Sequence, residues 1–314
     1  MQLVTIIIPT FNRPKLLKAC LDYYKEFEGS IIIADGSYNP FPQEFLTENS
    51  RYIHIPSQGG WDTGSYASRL KQAVEMVETP YVVVRGDRRF TTIGGVYASA
   101  EFLEENPEFS TVDGRYIAFQ EVNGKLQIVP KYYQGNCRWV TSDDPLQRMI
   151  ESYSLGYNPN YYSVVRTEVW QTIVRMAPSN YIYAYLFELF VQNVMALYGK
   201  MAQLPVLYNV ALPVKKSYET TAPAYNRVTN DMRREIEYQC IQRILGCLLA
   251  EKIHATPKEC IEACERITDA YFEFLKRRYQ AAPPLLDKHI VLEEEWERRE
   301  LEDIKSLYLM GVFA

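Results

Sequence analysis

Residues 4–14 read V-T-I-I-I-P-T-F-N-R-P, and this segment indicates the fold class most clearly. Its β-branched run Val4–Ile8 is apolar on both faces, which is typical of a strand buried in a parallel sheet. Pro9 ends the run, and Pro14 stands where the first turn of a helix tolerates proline. Apolar residues then follow at helical spacing: Leu16, Leu17, Cys20, Leu21 and Tyr24. A buried strand that leads into an amphipathic helix is the first unit of an α/β fold.

The same alternation of strand and helix continues beyond this unit. Ile31–Ala34 is a second apolar strand, and a helix is predicted over 64–78. Thr79-Pro80 ends that helix before the third apolar strand, Tyr81–Val84. We therefore predict a Rossmann-like, mostly parallel mixed sheet with helices on both faces.

The pattern changes in the rest of the chain. Tyr116–Val122 and Lys125–Pro130 flank Asn123-Gly124, which predicts a β-hairpin with a type I′ turn. From about Asp231 onward the sequence is helical and strongly charged. We divide the chain into an α/β domain, 1–220, and a C-terminal helical region, 221–314.

Composition and charge narrow the class of protein. With 47% hydrophobic and 23% charged residues, the chain has the composition of a globular protein. Its formal net charge of −5 disfavours a nucleic-acid partner, since phosphate binding usually shows as a basic excess. The apolar run Met1–Pro9 lacks the basic segment of a signal peptide, and no apolar stretch reaches the ~18 residues of a membrane span. We expect a cytoplasmic protein.

The polar residues that carry chemistry follow the three apolar strands, at the edge of a parallel sheet where ligands bind. Asp35, after the second strand, could accept a hydrogen bond from a base N–H, and it equally fits a tight Asx-turn. Arginines after the third strand suit a diphosphate. The sequence has no G-x-G-x-x-G dinucleotide motif, no G-x-x-x-x-G-K-[ST] phosphate loop and no G-x-S-x-G elbow.

Taken together, these segments resemble a known family. T-I-I-I-P-T-F-N-R-P at Thr5–Pro14 and I-I-A-D-G-S at Ile32–Ser37 are similar to the opening of family two glycosyltransferases with the GT-A fold. T-P-Y-V-V-V-R-G-D-R-R-F at Thr79–Phe90 resembles the strand and the D-x-D type acidic motif of a bacterial subgroup. The resemblance covers residues 1–90 well and does not reach the C-terminal helices. It implies a GT-A catalytic domain that binds a nucleotide-sugar donor, most often a UDP-sugar.

The resemblance also implies a donor site. The first motif would line the nucleoside pocket, Asp35 would bind the base, and Asp87 would lie by the ribose and diphosphate. The implied donor residues are Pro9, Thr10, Asn12, Arg13, Asp35, Arg69, Asp87, Arg88 and Arg89.

The chain departs from the family at the acidic motif. Arg88 and Arg89 stand where the family has further carboxylates, which hold a divalent cation such as manganese or magnesium. Arginine cannot ligate such a cation. Three interpretations remain open: arginines replace the metal, the site is inactive, or Asp87 holds a metal with partners from elsewhere.

An inverting transfer needs a base for the acceptor hydroxyl. Glu188, in an apolar helical stretch, is our candidate, and a structural ion pair is the alternative. Asp113 and the pair Asp143-Asp144 are in reserve, although Asp144 also fits a helix N-cap. For the acceptor, which could be a glycan, a lipid-linked molecule or another hydroxyl compound, we predict contacts from Trp61, Asp62, Tyr161 and the loop residue Trp139.

Two other functions stay open at this point. The chain could be a catalytically silent GT-A module that binds nucleotide or a partner protein. It could also be a glycosyltransferase that acts on modified DNA bases, for which Arg85, Arg88, Arg89 and Arg115 would supply a basic cluster. A homodimer is left open.

Overall fold

We describe the chain from a computed structural model, over residues 3–57, 63–122, 125–130, 137–154, 160–177, 184–212, 232–267, 292 and 294–309. Its strands are β1 (Val4–Thr10), β2 (Ser30–Asp35), β3 (Ser50–His54), β4 (Tyr81–Val84), β5 (Arg89–Thr91), β6 (Phe109–Val122), β7 (Lys125–Pro130), β8 (Trp139–Val140), β9 (Val164–Arg166) and β10 (Lys200–Ala211). Its helices are α1 (Pro14–Tyr23), α2 (Thr63–Glu75), α3 (Ile93–Glu105), α4 (Pro145–Ser154), α5 (Thr167–Met176), α6 (Ala184–Tyr198), the helix Met232–Ile253, a helix over 257–267, and the C-terminal helix Glu295–Leu309.

The strands form one mixed α/β sheet in the order β3-β2-β1-β4-β9-β6-β10-β5, with β7 beside β6 and β8 beside β10. The first four strands of this order are parallel, and their register places Thr10 opposite Asp35. The predicted apolar strands are confirmed, and so is the pairing of Tyr116–Val122 with Lys125–Pro130. The turn residues 123–124 lie outside the described residues.

Helices cover both faces of the sheet. Ile7, Ile32 and Val84 belong to a core that also contains residues of α2, α5 and α6 and of the helix Met232–Ile253. Ile6 and Ile8 face the opposite core, which contains residues of α1 and α3 and of the C-terminal helix. Successive side chains of β1 therefore enter opposite cores, so both faces of the strand are buried. This explains why Ile6, Ile7 and Ile8 are all apolar.

Two elements, the strand β3 and the helix α3, were not predicted. The edge strand β3 is only half-buried, so it lacks the continuous apolar run that marked the others. Helix α3 begins with Ile93-Gly94-Gly95, and glycine disfavours helix. A Cβ at Gly94 would lie 2.4 Å from the ring of Trp296, so the close approach of the C-terminal helix requires glycine at this position.

The C-terminal helix packs directly on the sheet domain. Glu297 is fully buried and accepts hydrogen bonds from the Leu207 amide at 2.5 Å and from Arg115 at 3.3 Å. Glu300 accepts hydrogen bonds from the first amides of α3. The predicted boundary between residues 220 and 221 falls within 213–231, outside the described residues, and stays a prediction.

Among the residues that the structure describes, no helix combines the length and the apolar character that crossing a bilayer requires.

Candidate functional site

A cleft of about 230 Å³ opens at the carboxyl ends of β1 and β4. Strand β1 contributes Pro9 and Thr10, the turn after β4 contributes 86–89, and α6 contributes Phe187 and Glu188. The remaining lining residues are Phe11, Arg13, Tyr66, Ala67, Tyr161 and Tyr162. The cleft therefore brings together eight of the residues predicted from the sequence: Pro9, Thr10, Arg13, Asp87, Arg88, Arg89, Tyr161 and Glu188.

Asp87 is the buried carboxylate at the centre of this cleft, with 1% of its surface exposed. Its Oδ2 accepts a hydrogen bond from the Thr10 hydroxyl at 2.7 Å, and its Oδ1 accepts one from Arg13 at 2.9 Å. Burial raises the pKa of Asp87 more than Arg13 lowers it. Both carboxylate oxygens thus tie the first strand to the turn after β4.

Arginines surround this carboxylate. Arg88 and Arg89 are half-buried and line the cleft, and Arg13 approaches from the start of α1. The guanidinium carbon of Arg89 lies 5.3 Å from the centre of the Tyr162 ring, a cation–π distance. Burial and the neighbouring Arg13 lower the pKa of Arg88, which shows how closely the positive charges are grouped.

A fourth arginine, Arg85, lies buried behind this group, with 1% of its surface exposed. Its guanidinium carbon is 4.7 Å from the Tyr162 ring centre, its Nε donates to the Arg89 carbonyl oxygen at 3.2 Å, and its Nη2 donates to Asn209. Burial lowers the pKa of Arg85. Within the described part of the chain, its Nη1 has no hydrogen-bond partner. Through its hydrogen bond to the Arg89 carbonyl oxygen, Arg85 therefore holds the turn that contains Asp87 and Arg88.

Asp35 lies at the end of β2 and is hydrogen-bonded to the loop that follows it. The Asp35 carboxylate is fully buried and accepts hydrogen bonds from the Ser37 and Phe41 amides and from the Tyr52 hydroxyl, at 2.8, 3.1 and 2.6 Å. Asp35 is thus the Asx-turn residue of the alternative interpretation and closes its own loop. It does not line the cleft.

Asn12 and Arg69 also shape this edge without lining the cleft. Asn12 has a positive φ of 52°, and its amide donates to the Ser37 hydroxyl at 2.8 Å. The Arg69 guanidinium donates to the Ile55 carbonyl oxygen at 2.8 Å and packs on Gly36, where an added Cβ would lie 2.5 Å away. Both residues hold the loops that border the cleft.

Glu188 faces the aromatic side of the cleft, from the first half of α6. Tyr66 and Tyr161 share a hydrogen bond there, and burial raises the pKa of both hydroxyls, with a further contribution from Glu188. Tyr66 and Phe187 were not singled out as site residues from the sequence.

Asp113 lies in a different place. It is fully buried in β6, where Ser163 and Tyr116 donate hydrogen bonds to it at 3.0 and 3.3 Å. It borders a separate cavity of about 10 Å³ together with Arg138, whose pKa burial lowers to about 10. The predicted reserve base is therefore a buried structural carboxylate.

Four other predictions concern Asp144, Trp139, Trp61 and Asp62. The Oδ1 of Asp144 accepts a hydrogen bond from the Leu146 amide at 2.9 Å, as expected of a helix N-cap. Trp139 packs edge-on against Phe102 and Phe109 and does not line the cleft. Trp61 and Asp62 lie outside the described residues.

The arginines predicted as a DNA-binding cluster do not form one surface. Arg85 is buried, and Arg115 pairs with the buried Glu297 at 3.3 Å. Arg88 and Arg89 face the cleft instead.

The described residues around Asp87 do not by themselves fit a divalent cation. Magnesium and manganese take several oxygen ligands, whereas the neighbours of Asp87 that line the cleft are mainly arginines. In the described parts of the chain, no group of three or more His, Cys, Asp or Glu side chains could hold a metal ion. Both oxygens of Asp87 are already hydrogen-bonded.

Comparison with known proteins identifies this architecture. No protein-family model matches the sequence, and no curated protein is detectably similar to it. The structure is similar to that of S. aureus TarS 1-349, with a TM-score of 0.52, 12% identity and coverage of 95% of this chain and 98% of that one. TarS is a glycosyltransferase of GT-A type. The chain has the GT-A fold.

Two further TarS structures are matched at lower scores. TarS 1-349 in complex with UDP-GlcNAc has a TM-score of 0.49, 15% identity and coverage of 89% of this chain and 92% of that one. A longer TarS structure has a TM-score of 0.48 and 15% identity over 88% of this chain. The chain spans about half of that longer protein, 55% of its length.

Proposed function

We propose that the chain is a glycosyltransferase that moves a sugar from a UDP-sugar to a hydroxyl acceptor. One observation carries the proposal. A single cleft of a GT-A fold is lined both by the turn that bears Arg88 and Arg89 and by an aromatic surface that includes Glu188. Arg13, Arg88 and Arg89 suit a diphosphate, and tyrosine faces suit a sugar ring. UDP-sugars come first among donors because the family two resemblance implies UDP and because TarS was solved with UDP-GlcNAc.

The reaction would be a single displacement with inversion. The acceptor oxygen forms a bond to the anomeric carbon, while the bond from that carbon to the β-phosphate oxygen breaks. The electron pair stays on the phosphate oxygen, so UDP leaves with one more negative charge than it had in the donor. The acceptor proton passes to Glu188, which we propose as the general base.

The arrangement of the cleft supports this division of roles. Glu188 lies on α6 among the aromatic residues of the cleft, and Arg88 and Arg89 lie on the turn after β4. A base and a leaving group on opposite sides of the reacting carbon are what an inverting displacement needs. Tyr161, which lies beside Glu188, is proposed to orient the acceptor, and Asp87 to hold Thr10 and Arg13 at the donor.

The test is release of UDP from UDP-GlcNAc and UDP-glucose, with water as the acceptor. We expect slow release by the wild-type protein and a fall of about 100-fold or more in the Glu188→Gln variant, the usual size of a general-base contribution. UDP affinity should stay within about 3-fold, since the substitution leaves the arginines in place. Glu168→Gln, an exposed glutamate in the first turn of α5, is the matched control and should release UDP at the wild-type rate.

The alternative of a silent binding module makes a different prediction. Such a module would bind UDP and release none from either UDP-sugar under any condition. Equal release by the wild type and the Glu188→Gln variant would instead remove Glu188 from the mechanism.

A further inference from the structure

The turn after β4 concentrates positive charge where a GT-A enzyme of the family that this chain resembles holds a cation. Asp87 and Arg88 are its central residues, and the Arg89 amide closes it with a hydrogen bond to the Gly86 carbonyl oxygen at 3.3 Å. Arg13 adds a third guanidinium from α1. The cleft is thus lined by three arginines and two carboxylates, Asp87 and Glu188, and Glu188 belongs to its aromatic side.

The buried arginine behind the turn makes the charge excess larger. Within the described part of the chain, the hydrogen bonds of Arg85 go to the Arg89 carbonyl oxygen and to the Asn209 side chain, and neither acceptor is a carboxylate. Burial, together with the neighbouring Arg89, lowers the pKa of Arg85. Burial of a cation without a carboxylate is costly, so a fold that keeps one gains when an anion binds nearby. Arg85 also holds the Arg89 carbonyl oxygen, which fixes the direction of the turn.

We propose that Arg88 and Arg89, positioned by Arg85, take the place of the divalent cation and neutralise the leaving diphosphate. This inference rests on the proposed function and adds how its leaving group is stabilised. When the bond from the anomeric carbon to the β-phosphate oxygen breaks, the new charge on that oxygen is met by guanidinium N–H groups. Such groups form paired, charge-assisted hydrogen bonds to phosphate oxygens and need no reorganisation at the moment of reaction. Arg85 touches no substrate in this scheme and is a positioning residue.

The test is calorimetric titration of uridine, UMP and UDP, in EDTA and in manganese, on the wild type and on Arg88→Ala/Arg89→Ala. The wild type should bind UDP with the same affinity in EDTA and in manganese. The double variant should lose about 100-fold in UDP affinity, roughly tenfold for each charge-assisted contact, and keep its uridine affinity. Arg51→Ala is the matched control, because Arg51 is exposed on β3 and pairs with Glu78 away from the cleft.

Arg85→Lys tests the positioning role. It keeps the charge but loses the fork that reaches both Arg89 and Asn209. We expect weaker UDP binding with unchanged uridine binding, whereas general damage to the fold would weaken both. If the double alanine variant does not fold, the single variants Arg88→Gln and Arg89→Gln carry the same comparison.

Two results would overturn the inference. UDP binding that requires manganese and survives the double substitution would put a cation at Asp87, with further ligands outside the described residues, and would leave the proposed function standing. Absence of UDP binding in both EDTA and manganese would overturn the proposed function and this inference together.

Discussion

The buried carboxylate of Glu300 caps a helix to which it does not belong. Its two oxygens accept hydrogen bonds from the Ile93 and Gly94 amides at 2.7 and 2.8 Å, and Tyr23 donates a third. Thr92, at the N-cap position of α3, makes no capping bond, because its hydroxyl donates to the Leu207 carbonyl oxygen at 2.6 Å. Glu300 therefore supplies the cap and docks the C-terminal helix at the same time.

Replacing Glu300 by alanine should lower the free energy of unfolding by about 2–4 kcal/mol. A helix cap contributes about 1 kcal/mol, and leaving a buried donor unsatisfied costs about 1–3 kcal/mol. Three donors lose their acceptor here, and the cost of burying the carboxylate, which is removed as well, offsets part of that loss.

Urea unfolding at neutral pH measures this difference. The midpoint should fall in Glu300→Ala while the dependence on urea stays unchanged, since the surface exposed on unfolding is the same. Glu302→Ala is the control: Glu302 is exposed on the same helix, pairs with Lys305 and should cost less than about 0.5 kcal/mol. A Glu300→Ala variant as stable as the control would refute the docking of the C-terminal helix through this cap.

Three further predictions concern the buried charges and one tight contact. Burial raises the folded-state pKa of Glu300, so the part of the stability that depends on its protonation is fully present below the ordinary value of 4.5 and is lost as pH rises through the folded pKa, while the hydrogen bonds to its oxygens remain; the stability of the wild type relative to Glu300→Gln should fall over that window in urea titrations. Asp87→Asn should leave UDP affinity in EDTA within about 3-fold of wild type or make it tighter, since it removes the negative charge among the arginines; a loss of UDP affinity in manganese but not in EDTA would indicate a metal-ligating role. Gly36→Ala should weaken uridine binding and lower stability by about 1–3 kcal/mol, because its Cβ would lie 2.5 Å from the Arg69 guanidinium; thermal unfolding with and without uridine measures both, and an unchanged protein would contradict the close packing.

Much of the fold could be predicted because its strands and helices carry strong local patterns. Helix α2, Thr63–Glu75, covers most of the helix predicted over 64–78, since its apolar residues recur at helical spacing. The cleft was predictable in outline for a geometric reason: the polar residues after β1 and β4 meet because the carboxyl ends of neighbouring parallel strands lie at one edge.

The parts that could not be predicted depend on contacts between distant segments. The Asp35 carboxylate turns inward because the Tyr52 hydroxyl reaches it from β3, an edge strand whose pattern is too weak to recognise in the sequence. Tyr66 and Tyr161 meet although 95 positions separate them. The charged sequence of the C-terminal helix predicts a solvent-exposed face. Nothing in the local sequence distinguishes Glu297 and Glu300, which are buried, from their exposed neighbours.

Hydrogen exchange with mass spectrometry, with and without UDP, tests whether the cleft at the ends of β1 and β4 is the donor site. We expect UDP to slow amide exchange in peptides that cover 9–13 and 85–91, the two segments that contribute the proposed donor residues to the cleft. Peptides from α4, which contribute no residue to the cleft, should exchange at the same rate in both states. Slower exchange elsewhere with no change in 9–13 and 85–91 would contradict the assignment of this cleft as the donor site.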